Sequence, residues 1–598
     1  MSTFRRWGAS VLVLLASALL ASCVTTHRST DTVTVSLISF NDFHGNLLPP
    51  KTHVMVEDPV TERGVRVPAG GASYLSTLVK QLQAQNPGKT IIVAAGDVIN
   101  GSPQVSGMFH DEPTIEAMNL LGLSVSSVGN HEFDRGKEEL LRMQRGGCSP
   151  KSPDGTRGIV GVDTCMNKGK FIGAKFQYLA ANVIDQATGK TLLPSYVVRT
   201  VGGVKMGFIG VTLKETPAAV MPSGVVGLRF EDEVETVNKL VPVLEQQGVE
   251  VVVVLLHQGA AIAADVINDK SCPGFNGDAI KIVDRLDPAV KVVVTGHTHE
   301  EFVCRRYGKL ITQAGHYGRM VTKIDLVLNT KTRELVEMEA SNHVAVNDMM
   351  AKDASGKPVP LPEGLKKLEK DPAMEKLVQR YAKLTAKRAK VVVANIAGYL
   401  DRKQSASGES TLANVIADAY LAATANASYG AGAAQIAFVN PGGIRSDWNA
   451  SLKVTAGDLY SVHPFNNNMV TMRLTGEQIR RVLEQQWEQP QPAGGRVLGV
   501  SSGFTYTWDA SQPEGAAPGQ GRRVVADSLK LHGQPIDTFK TYRVTVNSFL
   551  AEGGDNFTVF ESGSGEQDGM VDREALAAYL RAHQPLSPPV LARIKRLN

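Results

Sequence analysis

Short apolar, β-branched runs recur through the first half of the chain, and five of them end in polar clusters. Residues 33–40 lead into Asn41-Asp42-Phe43-His44, 90–95 into Gly96-Asp97, and 125–128 into Gly129-Asn130-His131-Glu132-Phe133-Asp134. Residues 251–256 lead into His257-Gln258-Gly259, and 291–295 into Gly296-His297-Thr298-His299. Runs of this kind predict buried strands. Between them, Leu75, Leu78, Val79 and Leu82 share one face of a predicted helix over Ala72 to Gln85. A second helix is predicted over Val234 to Gln247, ahead of the Val251 strand. Strands alternating with helices predict an α/β domain around a buried sheet, here over residues 33–345.

The pattern changes near residue 345. Residues 349–362 are polar and rich in Lys, Pro and Gly, which reads as a connector. Asp371-Pro372 then reads as an N-cap and first turn, followed at helical spacing by Leu377, Tyr381 and Leu384. Residues 346–390 are therefore taken as a linker with an interdomain helix of about four turns. A second domain is expected over 391–598. It has predicted helices at Thr411 to Ala425 and Thr475 to Trp487, and strands at Gln435 to Val439, Arg522 to Leu531 and Tyr542 to Asn547. Gln489 to Gly495 reads as a Pro/Gly-rich loop.

At 598 residues the chain is long enough for several domains. Its formal net charge is +4, with the charges interspersed, so no polymeric nucleic acid is expected as a partner. The N-terminus reads as a targeting segment over residues 1–23. Arg5 and Arg6 precede an apolar stretch from Val11 to Ala21 that is too short to span a bilayer as a mature helix. Leu20-Ala21-Ser22-Cys23 resembles a bacterial lipobox, which makes Cys23 the lipidated first residue; cleavage by an ordinary signal peptidase is the competing reading. Val24 follows the cysteine, so resemblance to Gram-negative lipoproteins implies an outer-membrane anchor facing the periplasm. Four further cysteines, Cys148, Cys165, Cys272 and Cys304, predict disulfides in an exported chain. Three pairings are open. The sequential one, Cys148–Cys165 and Cys272–Cys304, closes two short loops beside the polar clusters.

The clusters carry metal-ligand chemistry. Asp42 and His44 stand two apart on an extended segment, and so do His297 and His299, which directs each pair to one side. Asp97 has two carboxylate oxygens and can bridge two ions; Asn130 offers an amide oxygen and His257 an imidazole. The set suffices for two ions about 3.5–4 Å apart, an arrangement that hydrolyses phosphate esters. Mixed nitrogen and oxygen donors suit zinc or manganese first, and also cobalt or iron.

Taken together, these five motifs resemble the calcineurin-like metallophosphoesterases, and more narrowly the 5′-nucleotidase family with its UDP-sugar hydrolases. The resemblance extends over almost the whole mature chain. It implies a four-layer α/β/β/α catalytic domain, a linker helix and a C-terminal α+β substrate-binding domain. It implies that Asp42, His44, Asp97 and His299 bind one divalent ion, and Asp97, Asn130, His257 and His297 the other. His131 and Asp134 become the catalytic pair, with Asp134 fixing the tautomer of His131. In the second domain the matching fragments are Asn440-Pro441-Gly442-Gly443-Ile444-Arg445, Pro464-Phe465-Asn466-Asn467 and the run from Ser548 to Asp555. They imply Phe465 and Phe549 as a base clamp. Arg445 would take the phosphate, Asn440 and Asp555 would hold the sugar, and Gly443 belongs to the same substrate loop. One departure stands out. The stretch Ser405-Ala406-Ser407-Gly408 has no arginine where well-known members carry one, and Arg402 or Lys403 is the available substitute. The resemblance further implies a rotating second domain, hinged at the connector and the helix after it.

The expected activity is metal-dependent hydrolysis of nucleoside 5′-monophosphates to nucleoside and phosphate. The alternatives are UDP-sugar or dinucleotide pyrophosphate hydrolysis, or action on 2′,3′-cyclic nucleotides. A non-catalytic nucleotide-binding lipoprotein is a remote alternative, because it predicts lost ligands and none is lost. Nothing in the sequence speaks to oligomeric state.

Overall fold

In the computed structural model, the strand Thr32–Phe40 lies near the middle of a six-stranded sheet. The order is Leu335–Val344, Met320–Asn329, Thr32–Phe40, Thr90–Ala95, Val125–Ser127, Gln177–Leu179. The described residues are 31–598 except 51, 152–157, 221, 265, 352–356, 426–432, 449–450 and 466. The proposed signal segment and Cys23 lie outside them. A second six-stranded sheet runs Glu301–Arg306, Lys309–Ala314, Val290–Thr295, Val251–His257, Val204–Thr212, Tyr196–Val201.

The two sheets face each other. Val35, Leu37 and Val93 of the first pack with Phe208, Val253 and Val292 of the second in one fully buried cluster. Ile38, Phe40 and Ile92 point the other way, onto the helices Ala72–Gln85 and Glu112–Leu121. Val252, Val254 and Leu256 likewise pack on the helix Glu233–Gln246. Period-two side-chain alternation thus gives each central strand a sheet-facing and a helix-facing row. The result is the expected α/β/β/α stack. The central strands of each sheet are parallel, with Thr32–Phe40 beside Thr90–Ala95 and Val251–His257 beside Val290–Thr295. Their carboxyl ends therefore open on one side of the stack, where the five polar clusters meet.

The helix Pro372–Ala389 packs on this first domain. Asp371 accepts the Met374 N–H at 2.9 Å and pairs with Lys80. Met374, Val378 and Tyr381 are buried in the same cluster as Leu75, Ile115 and Met118. The second domain is built on a sheet ordered Gly499–Val500, Ile436–Val439, Thr541–Asn547, Asn468–Thr475, Ser564–Val571. One face carries the helices Thr411–Thr424 and Asp572–Ala582, the other Gly476–Glu484. Thr475 begins that last helix with a reciprocal capping box to Gln478, which satisfies two backbone donors at once.

The expected strand over Arg522 to Leu531 does not form as one element. Only Lys530–Leu531 is strand, preceded by a 3-10 turn at Ala526–Ser528. The buried Glu484 carboxylate accepts the N–H groups of Arg523 (2.9 Å) and Val524 (3.1 Å), and the stretch pairs only briefly with the strand Phe504–Asp509, through Asp509 N–H to the Arg523 carbonyl (2.7 Å) and Val525 N–H to the Thr507 carbonyl (2.9 Å), before the turn begins. The four cysteines pair sequentially, Cys148–Cys165 and Cys272–Cys304. No helix among the described residues is long and apolar enough to cross a membrane.

Candidate metal centre and nucleotide site

Five of the seven candidate ligands sit in left-handed backbone: Asp42 (φ 49°), His44 (45°), Asp97 (49°), His297 (70°) and His299 (62°). Non-glycine residues in this region carry strain, and such strain gathers at functional sites. The extended segments expected for Asp42/His44 and His297/His299 are therefore not found. Instead, sharp turns at the strand ends bring each pair to bear on one point. Gly129 is required by close approach. A Cβ there would meet the Asp97 carboxylate and come within 2.7 Å of the His257 ring.

The side chains form two adjoining groups about Asp97. In the first, His299 Nε2 lies 3.4 Å from Asp42 Oδ1, and His44 Nε2 lies 3.9 Å from Asp42 Oδ1 and 3.6 Å from Asp97 Oδ2. In the second, His257 Nε2 lies 3.2 Å from Asp97 Oδ2 and 3.1 Å from Asn130 Oδ1, and His297 Nδ1 lies 3.0 Å from Asn130 Oδ1. The donor set fits divalent ions. Asp97 Oδ2 is buried and has no hydrogen-bond partner among the described residues. His44 and His257 donate their Nδ1–H to the carbonyls of Asn100 (2.8 Å) and Ala95 (2.7 Å), which turns each Nε2 inward. One atom each from Asp42, His44 and His299 falls within 4.8 Å of the others, as does one each from Asp42, Asp97 and His257.

The charges follow from packing. Burial opposes ionisation of Asp97, but the surrounding His257 and His131 hold it well below the usual carboxylate range. Burial also disfavours a charge on His257, yet the Asp97 carboxylate pushes it up to about 10. Burial and then the neighbouring His257 press His297 down to about 3. A carboxylate-rich centre thus holds a proton where a divalent cation would take over.

His131 opens a 3-10 turn and donates its Nδ1–H to Asp134 Oδ2 at 2.9 Å, while its backbone N–H reaches Asp97 Oδ1 at 2.9 Å. Burial works against its charge; Asp134 and Asp97 outweigh burial and raise its affinity for a proton. His131 also comes within ligand range of His44 and Asp97. With Nδ1 taken by Asp134, its Nε2 is the atom left to face the centre.

The second domain reaches this centre directly. Phe465 stacks on His131, ring centroids 5.5 Å apart and 15° from parallel. Arg445 points Nη2 at His44 Nε2 (3.5 Å) and lies over the Phe465 ring. Behind them is a fixed polar chain. Asn547 donates to Asn440 Oδ1 (2.9 Å), Asn440 donates to Asp555 Oδ2 (2.9 Å), and Arg496 donates to Asp555 Oδ1 (2.9 Å). Gly443 lies against this chain, and a Cβ on it would stand 2.8 Å from Asn440 Oδ1. Phe549 packs on Gly554 and makes no ring contact with Phe465 among the described residues. Arg402 donates to the Ile444 carbonyl at 3.2 Å, beside Arg445. Lys403 is exposed.

Glu132 escaped the sequence reading although it sits inside the longest motif. It is 1% exposed, and its carboxylate accepts the N–H groups of Asp97 (2.8 Å), Val98 (2.8 Å), Ile99 (3.3 Å) and Gly129 (2.6 Å). It thereby ties the loop carrying Asp97 to the loop carrying Asn130. Burial and the nearby Asp97 charge push it up to about 7. Asn100 plays a related part, accepting from His44 and donating to the His131 carbonyl at 2.7 Å. Arg496 was missed because its ion pair with Asp555 spans two loops.

This stack of sheets with ligands at their carboxyl ends is that of a metallophosphoesterase, and residues 36–301 match the family model described as calcineurin-like phosphoesterase. Residues 390–562 match the 5′-nucleotidase C-terminal domain. The chain belongs to the 5′-nucleotidase family of metallophosphoesterases, a family of phosphoric-ester hydrolases. It is 30% identical over 566 residues to Endonuclease YhcR of Bacillus subtilis, covering 94% of this chain and 41% of that one. It is 29% identical over 562 residues to Cell wall protein Lmo0130 of Listeria monocytogenes, covering 90% of this chain and 65% of that one. The chain thus spans less than two thirds of either relative. The crystal structure of a 5′-nucleotidase precursor from Thermus thermophilus superposes with a TM-score of 0.70 at 26% identity, covering 95% of this chain and 100% of that one.

Proposed function

We propose that the chain hydrolyses nucleoside 5′-monophosphates to nucleoside and orthophosphate at two divalent ions. The observation that carries this reading is the junction of the domains. A ring suited to stacking a base touches the candidate catalytic histidine, and Arg445 reaches a candidate ligand. A molecule with a phosphate at one end and a base at the other matches that juxtaposition.

One ion falls to Asp42, His44, Asp97 and His299, the other to Asp97, Asn130, His257 and His297. Bound there, the ions would neutralise the phosphate and activate water. His131 holds a proton at Nε2 for the phosphate or the departing 5′-oxygen, and Asp134 keeps its ring oriented. Arg445 offers its planar fork to the phosphate, with Arg402 beside it in the role of the missing family arginine. Phe465 and Phe549 take the base. Asn440 and Asp555, already held by Asn547 and Arg496, take ribose hydroxyls. The nitrogen and oxygen donors suit zinc or manganese. Two disulfides, and a relative named as a cell wall protein, support an envelope or extracellular location. Anchoring through Cys23 at a Gram-negative outer membrane follows from the lipobox.

The test is phosphate release from AMP by a chain starting at Val24, with EDTA and with added manganese or zinc. Release that EDTA abolishes and metal restores is expected. Metal-dependent cleavage of UDP-glucose or a cyclic nucleotide, with none of AMP, would overturn the substrate assignment.

A further inference from the structure

Beside the catalytic pair lies a cavity of about 530 Å³, and apart from Asp134 and Phe465 the nucleotide reading uses none of its walls. Asp134 and Phe465 both stand in its wall, so it begins where the His131–Asp134 pair ends. Tyr460 adds a second aromatic ring to the wall, and Arg135, Glu138 and Lys151 add polar groups. We propose that this cavity is a second nucleoside subsite, so that the chain also cleaves phosphodiesters joining two nucleosides. The proposal rests on the two-ion reading of the adjoining centre.

The wall is built rather than incidental. Cys148–Cys165 fixes the backbone next to Ser149, which stands in the wall. Glu112 holds the Cys165 end of that bridge, accepting from Thr164 Oγ1, the Cys165 N–H (2.7 Å) and Arg142 Nη1 (2.8 Å). Arg142 is thereby satisfied. Arg135 is not. Its Nη2 lies 3.4 Å from the Gly107 carbonyl and 3.7 Å from Asp111, but Nη1 is buried with no hydrogen-bond partner among the described residues. The Arg135 guanidinium and the Lys151 ammonium in this wall suit acceptors such as a base carbonyl, ring nitrogen or phosphate oxygen. Lys151 is exposed at the rim, with no ion pair among the described residues. Glu138, also exposed, offers an acceptor for amines or hydroxyls. Aromatic rings beside cations form a nucleoside pocket, and the volume lies in the range of small-molecule sites.

The chemistry balances with water alone. Water delivers a hydroxyl to phosphorus, and the P–O3′ bond to the nucleoside in the cavity breaks. That oxygen leaves with the proton given up by water, passed through His131. One dinucleoside monophosphate and one water yield one nucleoside 5′-monophosphate and one nucleoside. The monophosphate is then a substrate for the reaction proposed above.

The experiment compares ApA, AMP and UDP-glucose as substrates of the full metal-loaded chain and of two variants. Lys151→Glu reverses the rim charge at an exposed position, and Ser149→Trp fills the cavity. We expect wild-type cleavage of ApA to AMP and adenosine. In both variants kcat/KM for ApA should fall roughly tenfold or more, the scale of base stacking, while AMP stays within about twofold. Loss on UDP-glucose without loss on ApA would assign the cavity to a hexose and overturn the proposal. So would equal changes on ApA and AMP, or no ApA cleavage by a wild-type chain active on AMP. Cleavage of ApA that stops at AMP would instead sink the monophosphatase reading and leave this one standing.

Discussion

Glu132→Gln isolates how the two loops that carry the candidate ligands Asp97 and Asn130 are held together. The wild-type carboxylate serves four backbone N–H groups with two oxygens in a site closed to water. Glutamine keeps one oxygen, which can serve two of the four. Its amide nitrogen then faces the remaining donors, so two buried N–H groups lose their acceptors. Each such loss costs about 1–3 kcal/mol, so the change should remove about 2–6 kcal/mol of stability. For a large domain this lowers Tm by roughly 2–4 °C per kcal/mol. Asp97 and Asn130 sit on the two released loops, so ion affinity should fall along with stability. Differential scanning calorimetry of the EDTA-treated chain reads the first effect, and metal content after manganese loading and desalting reads the second. A Tm within about 1 °C of wild type, with two ions per chain retained, would refute the assignment of Glu132 as a clamp.

His131→Ala should lower kcat on AMP by about 10²–10⁴-fold with a small change in KM; steady-state kinetics with unchanged kcat would remove its catalytic role. Arg445→Met should raise KM for AMP more than it lowers kcat, because the fork holds the phosphate before reaction as well as during it. In EDTA-treated protein His257 carries a proton, since its folded affinity is raised to about 10. Its contribution to stability is complete below its ordinary value of 6.5 and is lost as pH rises toward 10. Loading zinc at pH 8 should therefore release about one proton per centre from this residue, measurable by calorimetry in buffers of different ionisation enthalpy. Removing Cys148–Cys165 or Cys272–Cys304, with loops of 17 and 32 residues, should cost about 3–4 kcal/mol each on the chain-entropy view, read by thermal unfolding of the paired Cys→Ser variants.

Most of the first domain was legible because its strands are buried on both faces and so read as unbroken apolar runs. The helix Ala72–Gln85 has the predicted bounds, since its apolar spacing and flanking glycines agree. The candidate ligands stood out as motifs, but the left-handed turns that bring them together did not, because Asp and His give no such signal in sequence. Glu132 and Asn100 work through backbone groups on other loops, which leaves no pattern at their own positions. The strand assigned to Arg522–Leu531 is cut short because Arg523–Val525 pair only briefly with Phe504–Asp509 before the chain turns at Ala526–Ser528, a break its apolar residues do not announce. The stacking of Phe465 on His131 lies between domains, where local periodicity carries no information.

The buried apolar clusters of the two domains share no residue: Phe40, Val93 and Val253 belong to one side, Ile416, Phe438 and Val544 to the other. Chemistry and recognition therefore drift under separate constraints. A lineage can rework the C-terminal core and its loops, and with them the preferred substrate, without disturbing the ion-binding geometry. The toll falls on the few side chains that meet across the seam, Phe465 and Arg445 foremost, which must stay compatible with an unchanging partner surface. Chimaeras that exchange the two halves between relatives should stand or fall on those contacts.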